Sequence, residues 1–369
     1  MIPINTPLLN GNEKKYLMEC IDTGWISSEG PFVRKLEEEF AKKVGKKYAI
    51  AVSNGSVALD VAIDAIGIKE GDEVIMPTFT IISCIAPIIR AKAIPVLIDA
   101  DLDTWNMCVE QIEEKITSRT KAIMVVHIYG LPVNMNPVLA IAKKYNLKII
   151  EDAAEAIGQT YENIQCGNFG DISTFSFYPN KHITTGEGGM ILTNNIELAN
   201  KCMELRNLSF IPPRRFIHEN LGWNFRLTNL QAAVGVAQLE KLDEFILKKR
   251  QIGEWYNSLL ADIPHLQLPL KEIEHSKNIY WIYGILIKPS SSISAFEAMQ
   301  QLKQHNIDSR PFFFPMHKQP VFEKMGIFKN VELTNSEYLA DKGFYIPSGL
   351  GLEYNQAVEV ANSLKKIFK

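Results

Sequence analysis

Long apolar runs are missing: none approaches the ~20 residues a membrane span needs, and the opening MIPINTPLLNGNEKKYL lacks the apolar core of a signal peptide. Cysteine is scarce. The five residues, Cys20, Cys84, Cys108, Cys166 and Cys202, are an odd number without short paired spacing, which argues against a disulfide framework and a zinc site. They read as reduced thiols of a cytoplasmic protein. Without an export signal, the sequons at Asn54 and Asn207 carry no weight. An excess of one charge is missing too: the formal net charge is −3 with both signs interspersed, which gives no reason to expect a nucleic acid or a membrane surface as partner. The basic clusters PPRR (212–215) and LKKRQ (247–251) read as solvated faces. Neither G-x-S-x-G nor G-x-x-x-x-G-K-[ST] occurs, and the glycines near Lys181 (Gly186, Gly188, Gly189) follow the lysine rather than precede it. That order excludes a P-loop.

What is present is an alternating pattern. Runs EVIMPTF (73–79), IPVLID (94–99), AIMVVHIYG (122–130), LKIIEDA (147–153), ISTFSF (172–177) and GMILTN (189–194) are separated by helix-like stretches such as VALDVAIDAIG (57–67) and MNPVLAIAKKYN (135–146). This predicts an α/β fold, a mostly parallel sheet with helices on both faces. No helix separates the last two runs, so the sheet is expected to be mixed there. One long helical pattern follows over 228–263, then a strand at 279–288 and a helix near 294–306. The 369 residues are expected to divide into a large domain, 1–245, and a smaller α+β domain, 246–369.

Ligands of open α/β sheets sit at the carboxyl ends of strands. The residues there are Ser53 to Ser56, Thr78 to Thr80, His127 with Tyr129, Asp152 to Glu155, and Ser176 to Lys181. Gly55 and Ser56 open a helix, where free N–H groups and the positive dipole end suit a phosphate; Ser53 or Asn54 as a plain helix cap is the alternative. Asp152 ends a strand before two alanines, as a partner for a buried cation or as a cap. Lys181 follows a strand that ends on Ser176, and a lysine in a dry pocket can form an imine with a carbonyl. Phosphate cradle, cation-pairing aspartate and imine-forming lysine are together what pyridoxal 5'-phosphate requires. His182 would point away from Lys181 on an extended segment and reads as structural.

These residues also resemble a known family. FSFYPNKHITTGEGGM, EDAAEAIG, SNGSVAL, GWNFRLTNLQAAVG and SRPFFFPMH, in order over essentially the whole chain, are similar to nucleotide-sugar aminotransferases of the DegT/StrS type, fold-type I pyridoxal phosphate enzymes. The resemblance implies a seven-stranded large domain with a smaller C-terminal one. It implies Lys181 as the Schiff-base lysine and proton shuttle, and Asp152 as partner of the ring nitrogen. Gly55, Ser56 and Ser176 would hold the phosphate, Glu155 would lie near the ring hydroxyl, and Ala154 against one ring face. Asn224 would reach the phosphate in the neighbouring subunit, making a homodimer with shared active sites. Members usually carry an aromatic residue over the ring where this chain has Ile81. An aliphatic cover forgoes the aromatic face contact, worth about 0.5–1.5 kcal/mol, and predicts weaker cofactor binding.

Within the family the sequence is similar to GDP-perosamine synthases. These aminate the 4-keto group of GDP-4-keto-6-deoxymannose with glutamate, through the pyridoxamine phosphate form, in O-antigen and lipopolysaccharide biosynthesis. A related branch removes the 3-hydroxyl and carries a histidine where Lys181 stands, so the lysine argues against that dehydratase. Alternatives in the same class are a viosamine-type enzyme taking a UDP- or dTDP-linked sugar and a 3-keto sugar aminotransferase. A non-catalytic regulatory relative is the alternative of another class. Trp25, Ser27, His182, Arg310 and His317 are the candidates for substrate contact, each with an interface or core role as its alternative.

Overall fold

The computed structural model describes Met1 to Lys369 except residues 211, 212 and 215. Of the basic stretch 212–215, Pro212 and Arg215 thus lie outside the described residues. Helices α1 (Glu13–Thr23) and α2 (Pro31–Val44) precede β1 (Tyr48–Val52), α3 (Gly55–Ala65), β2 (Glu73–Pro77), α4 (Ile82–Arg90) and β3 (Ile94–Ile98). The chain continues through β4 (Thr120–Val126), α5 (Met135–Tyr145), β5 (Lys148–Asp152), a hairpin of β6 (Thr160–Tyr161) and β7 (Ile164–Gln165), β8 (Ile172–Ser176), β9 (Gly189–Thr193) and α6 (Ile196–Arg206).

Seven of these strands form one sheet in the order β1-β9-β8-β5-β4-β2-β3. Only β9 is reversed, antiparallel to both β1 and β8, as the missing helix between the last two runs predicts. Strands such as β2 and β9 are buried at every position, which a sheet covered on both faces demands. On one face Leu59, Ile63, Ile85 and Cys202 pack from α3, α4 and α6. On the other, Phe40 and Val236 meet Phe175 and Phe177, and Val138 of α5 joins Ile123 and Val125. The α/β expectation holds. β1 escaped sequence reading because YAIAV is short and half-exposed at its start.

A second, antiparallel sheet follows. Its strands are β10 (Leu266–Gln267), β13 (Tyr283–Ile287), β14 (Arg310–Pro311) and β15 (Gly343–Ile346), in the order β10-β13-β15-β14; a hairpin of β11 (Glu272–Ile273) and β12 (Ser276–Lys277) precedes β13. Its core gathers Tyr256, Tyr283, Leu302, Phe344 and Leu364, and also Ile2 from the N-terminus.

Three expectations are corrected. The helical pattern 228–263 is two helices, α7 (Asn229–Leu239) and α8 (Leu242–Leu259). The break falls at Glu240, whose carboxylate accepts from Asn12 Nδ2 at 2.7 Å and Tyr16 Oη at 2.6 Å, and at Lys241, which leaves helical geometry (φ −104°, ψ 0°). The strand expected from residue 279 begins at Tyr283, because Tyr280 adopts φ 48° and Trp281 N–H donates to the Tyr129 carbonyl instead of a sheet partner. The stretch 247–251 is not wholly solvated: Lys249 is buried.

Helix α8 serves both cores, with Phe245 and Ile246 in the first and Ile252 and Tyr256 in the second. Lys249 lies between them. Its Nζ donates to the carbonyls of Trp281 (2.9 Å) and Ser348 (2.5 Å), and burial pushes the amine down to about 7. Two acceptors match the two N–H bonds of a neutral amine. Among the described residues no helix is long and apolar enough to cross a membrane.

The folded pKa of Lys249 lies below the unfolded value near 10.4, so between the two the unfolded chain binds a proton that the folded protein does not. Unfolding free energy therefore rises with pH through that window, by up to about 1.4 kcal/mol per pH unit. Urea unfolding of the wild type and Lys249→Met from pH 6 to 10 should show the difference shifting in favour of the wild type between about pH 7 and 10. A constant difference would mean that the amine stays protonated.

Candidate active site

Asp152 is the last residue of β5 and is 4% exposed. Its Oδ1 accepts from Ala154 N–H at 3.0 Å and its Oδ2 from the Cys84 thiol at 3.3 Å. Burial raises its pKa, against the pull of the Ala154 N–H, Cys84 and the Lys181 charge. A carboxylate so placed favours a cation brought to it. Its neighbour Glu151 faces the other way, as strand alternation requires. Glu151 accepts from Gly167, Phe169 and Gly170 N–H (2.5, 2.8 and 2.8 Å), from Ser173 Oγ (3.1 Å) and from His127 Nε2 (3.0 Å). His127 Nδ1 accepts from Val133 N–H at 3.1 Å, which fixes the tautomer that donates to Glu151. His127 is thus a structural residue under the site.

Lys181 follows β8 in a turn closed by its own N–H to the Tyr178 carbonyl, 2.9 Å. The side chain is 10% exposed, and Nζ lies 3.9 Å from Glu155 Oε1. Burial pushes the amine below the usual lysine range, opposed by the charges of Glu155, Asp152 and Cys84. Glu155 is raised by burial, opposed by Lys181 and by a 2.9 Å bond from Tyr129 N–H to its Oε2. The amine nearest the reacting position is therefore biased toward the neutral, nucleophilic form.

An anion cradle adjoins them. Asn54 does cap α3, accepting from Val57 N–H at 3.0 Å, while the first-turn amides at Gly55 and Ser56 have no intrahelical acceptor. A Cβ at Gly55 would come within 2.7 Å of Ser176 Cβ, so only glycine lets Ser176 approach this helix end. Ser56 Oγ and Ser83 Oγ are 2.7 Å apart, joining the N-terminal turns of α3 and α4. Beside them Ile81 and Ile82 are 45% and 42% exposed, and Ala154 is half-buried. Free amides, hydroxyls, an open apolar wall, a buried carboxylate and a buried amine fit the phosphate, ring, ring nitrogen and aldehyde of pyridoxal phosphate.

The structure thus gathers Gly55, Ser56, Ser176, Ala154, Asp152, Glu155 and Lys181 at the carboxyl ends of β1, β5 and β8. Trp25 and Ser27 are exposed on the α1–α2 connection, whose backbone Asn229 holds through the Trp25 and Ser27 carbonyls. Asn224 is exposed in an antiparallel bridge to Asn207, next to Trp223. Arg310 is exposed, pairs with Asp308, and stands opposite Tyr345 in register.

Two substrate candidates are corrected. His182 is buried, its Nε2 3.4 Å from the Ile279 carbonyl, and burial lowers its pKa to about 3. His317 is buried with Nδ1 on Thr78 Oγ1 (2.8 Å) and Nε2 on Glu337 Oε1 (2.9 Å). Both His317 nitrogens are engaged within the protein, while His182 Nδ1 is buried without a partner among the described residues. Sequence reading missed Ser83, Cys84 and Trp281. The first two lie inside α4, where a helix start after PTFT was the only available signal; Trp281 arrives from 100 residues beyond Lys181 along the chain.

Comparison with known proteins agrees with this geometry. Residues 7–365 match the DegT/DnrJ/EryC1/StrS aminotransferase family. The GDP-perosamine synthase of Vibrio cholerae is 41% identical over 368 residues, covering 100% of this chain and 99% of its own. That of Escherichia coli O157:H7 is 40% identical over 371 residues, covering 100% and 98%. The structure of the E. coli GDP-4-keto-6-deoxy-D-mannose-3-dehydratase with bound hydrated PLP superimposes with a TM-score of 0.92 at 25% identity, covering 99% of each chain. With the lysine, the aspartate and the helix-end cradle in place, the chain belongs to the DegT/DnrJ/EryC1/StrS aminotransferase family.

Proposed function

We propose that this protein is a pyridoxal phosphate-dependent aminotransferase that converts GDP-4-keto-6-deoxymannose to GDP-perosamine with glutamate as amino donor. The observation that carries the reading is the buried amine of Lys181 beside Asp152 and Glu155, in a chain about 40% identical throughout to two GDP-perosamine synthases. A dehydratase of the related branch has a histidine at this position. This chain keeps the lysine.

When bound, pyridoxal phosphate supplies an aldehyde that takes the amino group and a protonated ring that accepts the electron pair of the carbon losing its proton. Asp152, buried as it is, would hold the proton on the ring nitrogen. The amides of Gly55 and Ser56, with the Ser56 and Ser176 hydroxyls, would hold the phosphate at the α3 N-terminus. Ile81 would cover one ring face, and Ala154 would leave room at the other. Lys181 Nζ would carry the proton from the α carbon of glutamate to the cofactor's aldehyde carbon, and in the second half-reaction would carry one from that carbon to the sugar C4. Glu155 would lie near the ring hydroxyl, with its carboxylate 3.9 Å from that amine. Trp25, Ser27 and Arg310, all exposed, remain the residues proposed to contact the nucleotide sugar.

The assembly is proposed as a homodimer in which Asn224 serves the partner's cradle. Its exposure, together with exposed Trp25, Ile26, Tyr178 and Phe314, suits a surface covered by a second copy.

Three outcomes follow. Protein loaded with cofactor and glutamate, then offered GDP-, UDP- and dTDP-4-keto-6-deoxy sugars, should recover its visible cofactor absorbance with the GDP sugar alone; recovery with another nucleotide would overturn the substrate assignment. Lys181→Ala should bind the cofactor yet lose amine transfer by about 1,000-fold or more, and turnover near wild type would remove Lys181 from its role. Mixing inactive Lys181→Ala and Asn224→Ala subunits after dissociation should restore about a quarter of wild-type activity, since half the dimers are then mixed and each holds one intact site. No recovery would mean that each subunit builds its site alone.

A further inference from the structure

Nothing in the proposed scheme explains what holds the Lys181 amine once it is released from the cofactor. Among the described residues no oxygen accepts a hydrogen bond from Nζ, and Glu155 at 3.9 Å is too distant for one. The closest recorded partner is apolar: Nζ stands 3.7 Å from the centroid of the Trp281 ring. Trp281 is 6% exposed and fixed at three points. Its Nε1 donates to the carbonyl of Asn180, the residue before the lysine, at 2.8 Å. Its backbone N–H donates to the Tyr129 carbonyl at 3.1 Å, and its carbonyl accepts from Lys249 Nζ at 2.9 Å. Gly130 makes this approach possible, since a Cβ there would come within 2.6 Å of Trp281 N. The indole is therefore built into place and attached to the same turn that carries the lysine.

We propose that Trp281 is the positioning residue of Lys181: its ring face is the seat on which the amine rests whenever it is not bonded to the cofactor aldehyde. The inference rests on the aminotransferase reading for its use in turnover, but the seat itself is a property of the protein without cofactor. An indole face attracts an ammonium more than a neutral amine, and most strongly where water is excluded. The seat thus stabilises the lysine after it has taken a proton and holds it close for the return transfer. Burial pushes the other way, toward the neutral amine. The titratable groups that act on Nζ beside Trp281 are Glu155 and Asp152 after and at the end of β5, Cys84 of α4, and His182 next in the chain, itself facing Lys249.

The test compares wild type, Trp281→Phe and Trp281→Leu. In cofactor-free protein, carbamoylation of Lys181 by cyanate, read by mass spectrometry against pH, reports the midpoint at which the amine becomes neutral. The expected order is wild type highest, Phe between, and Leu lowest by about one pH unit. Both variants lose the bond to Asn180, so the Phe-to-Leu difference isolates the ring face. In holoenzyme, the glutamate half-reaction of the Leu variant should slow about tenfold with its half-saturating glutamate concentration unchanged. Coincident midpoints, or a midpoint that rises on losing the ring, would overturn the proposal. If the Leu variant does not fold, Trp281→Met, likewise without a ring and without the bond to Asn180, takes its place in the comparison with Phe. None of the midpoints depends on which sugar is the substrate, so a failed sugar assignment leaves this result legible.

Discussion

The site depends on keeping one amine out of water without pairing it. Lys181 is packed between carboxylates it does not quite reach and an indole face. A direct ion pair would hold the lysine charged and unreactive, while full isolation in an apolar pocket would cost far more than a fold can spare. The intermediate arrangement leaves a group that can change protonation state at modest cost. Such balance is what a residue needs if it is to bond a carbonyl, leave it and move a proton in between.

The surroundings are rigid for the same reason. Asp152 and Glu151 are adjacent on β5 and project to opposite faces, so anchoring one fixes the other. Glu151 collects five donors from His127 and the segment 167–173. Against the upward push of burial, these hold its carboxyl below the usual range. The network lies one side chain away from the chemistry and pins the strand end from which Asp152 projects. Lys249 plays a similar part from α8: it joins the carbonyls of Trp281 and Ser348, and the Trp281 indole in turn bonds the Asn180 carbonyl beside the lysine.

At Ile81, where the resemblance implies an aromatic ring cover, the structure shows an aliphatic side chain nearly half-exposed just before α4. Phe79 does not take over the role of a ring cover. It is 1% exposed and sits in the aromatic cluster with Tyr129, Phe312 and Phe313, directed into the core.

Read alone, the sequence determined the alternating strands and helices, the reversed strand near 190, and the local pieces of the site: a helix opening at Gly55, an aspartate closing β5, a lysine after β8. Each is legible because a strand or helix terminus places its own side chain through local backbone geometry, whatever the rest of the chain does. Tertiary structure decided the remainder. Whether Lys249 was a surface or a buried lysine, whether His182 and His317 faced a ligand or the core, and that a strand's lead-in 100 residues away would place Trp281 against Lys181 all depend on contacts between distant segments. The break between α7 and α8 was hidden likewise, since Glu240 turns outward to partners at Asn12 and Tyr16. Period and propensity describe a segment's preference for one face. They carry no information about which distant group will meet that face, and burial, which sets the protonation of Lys181 and Asp152, is decided by that meeting.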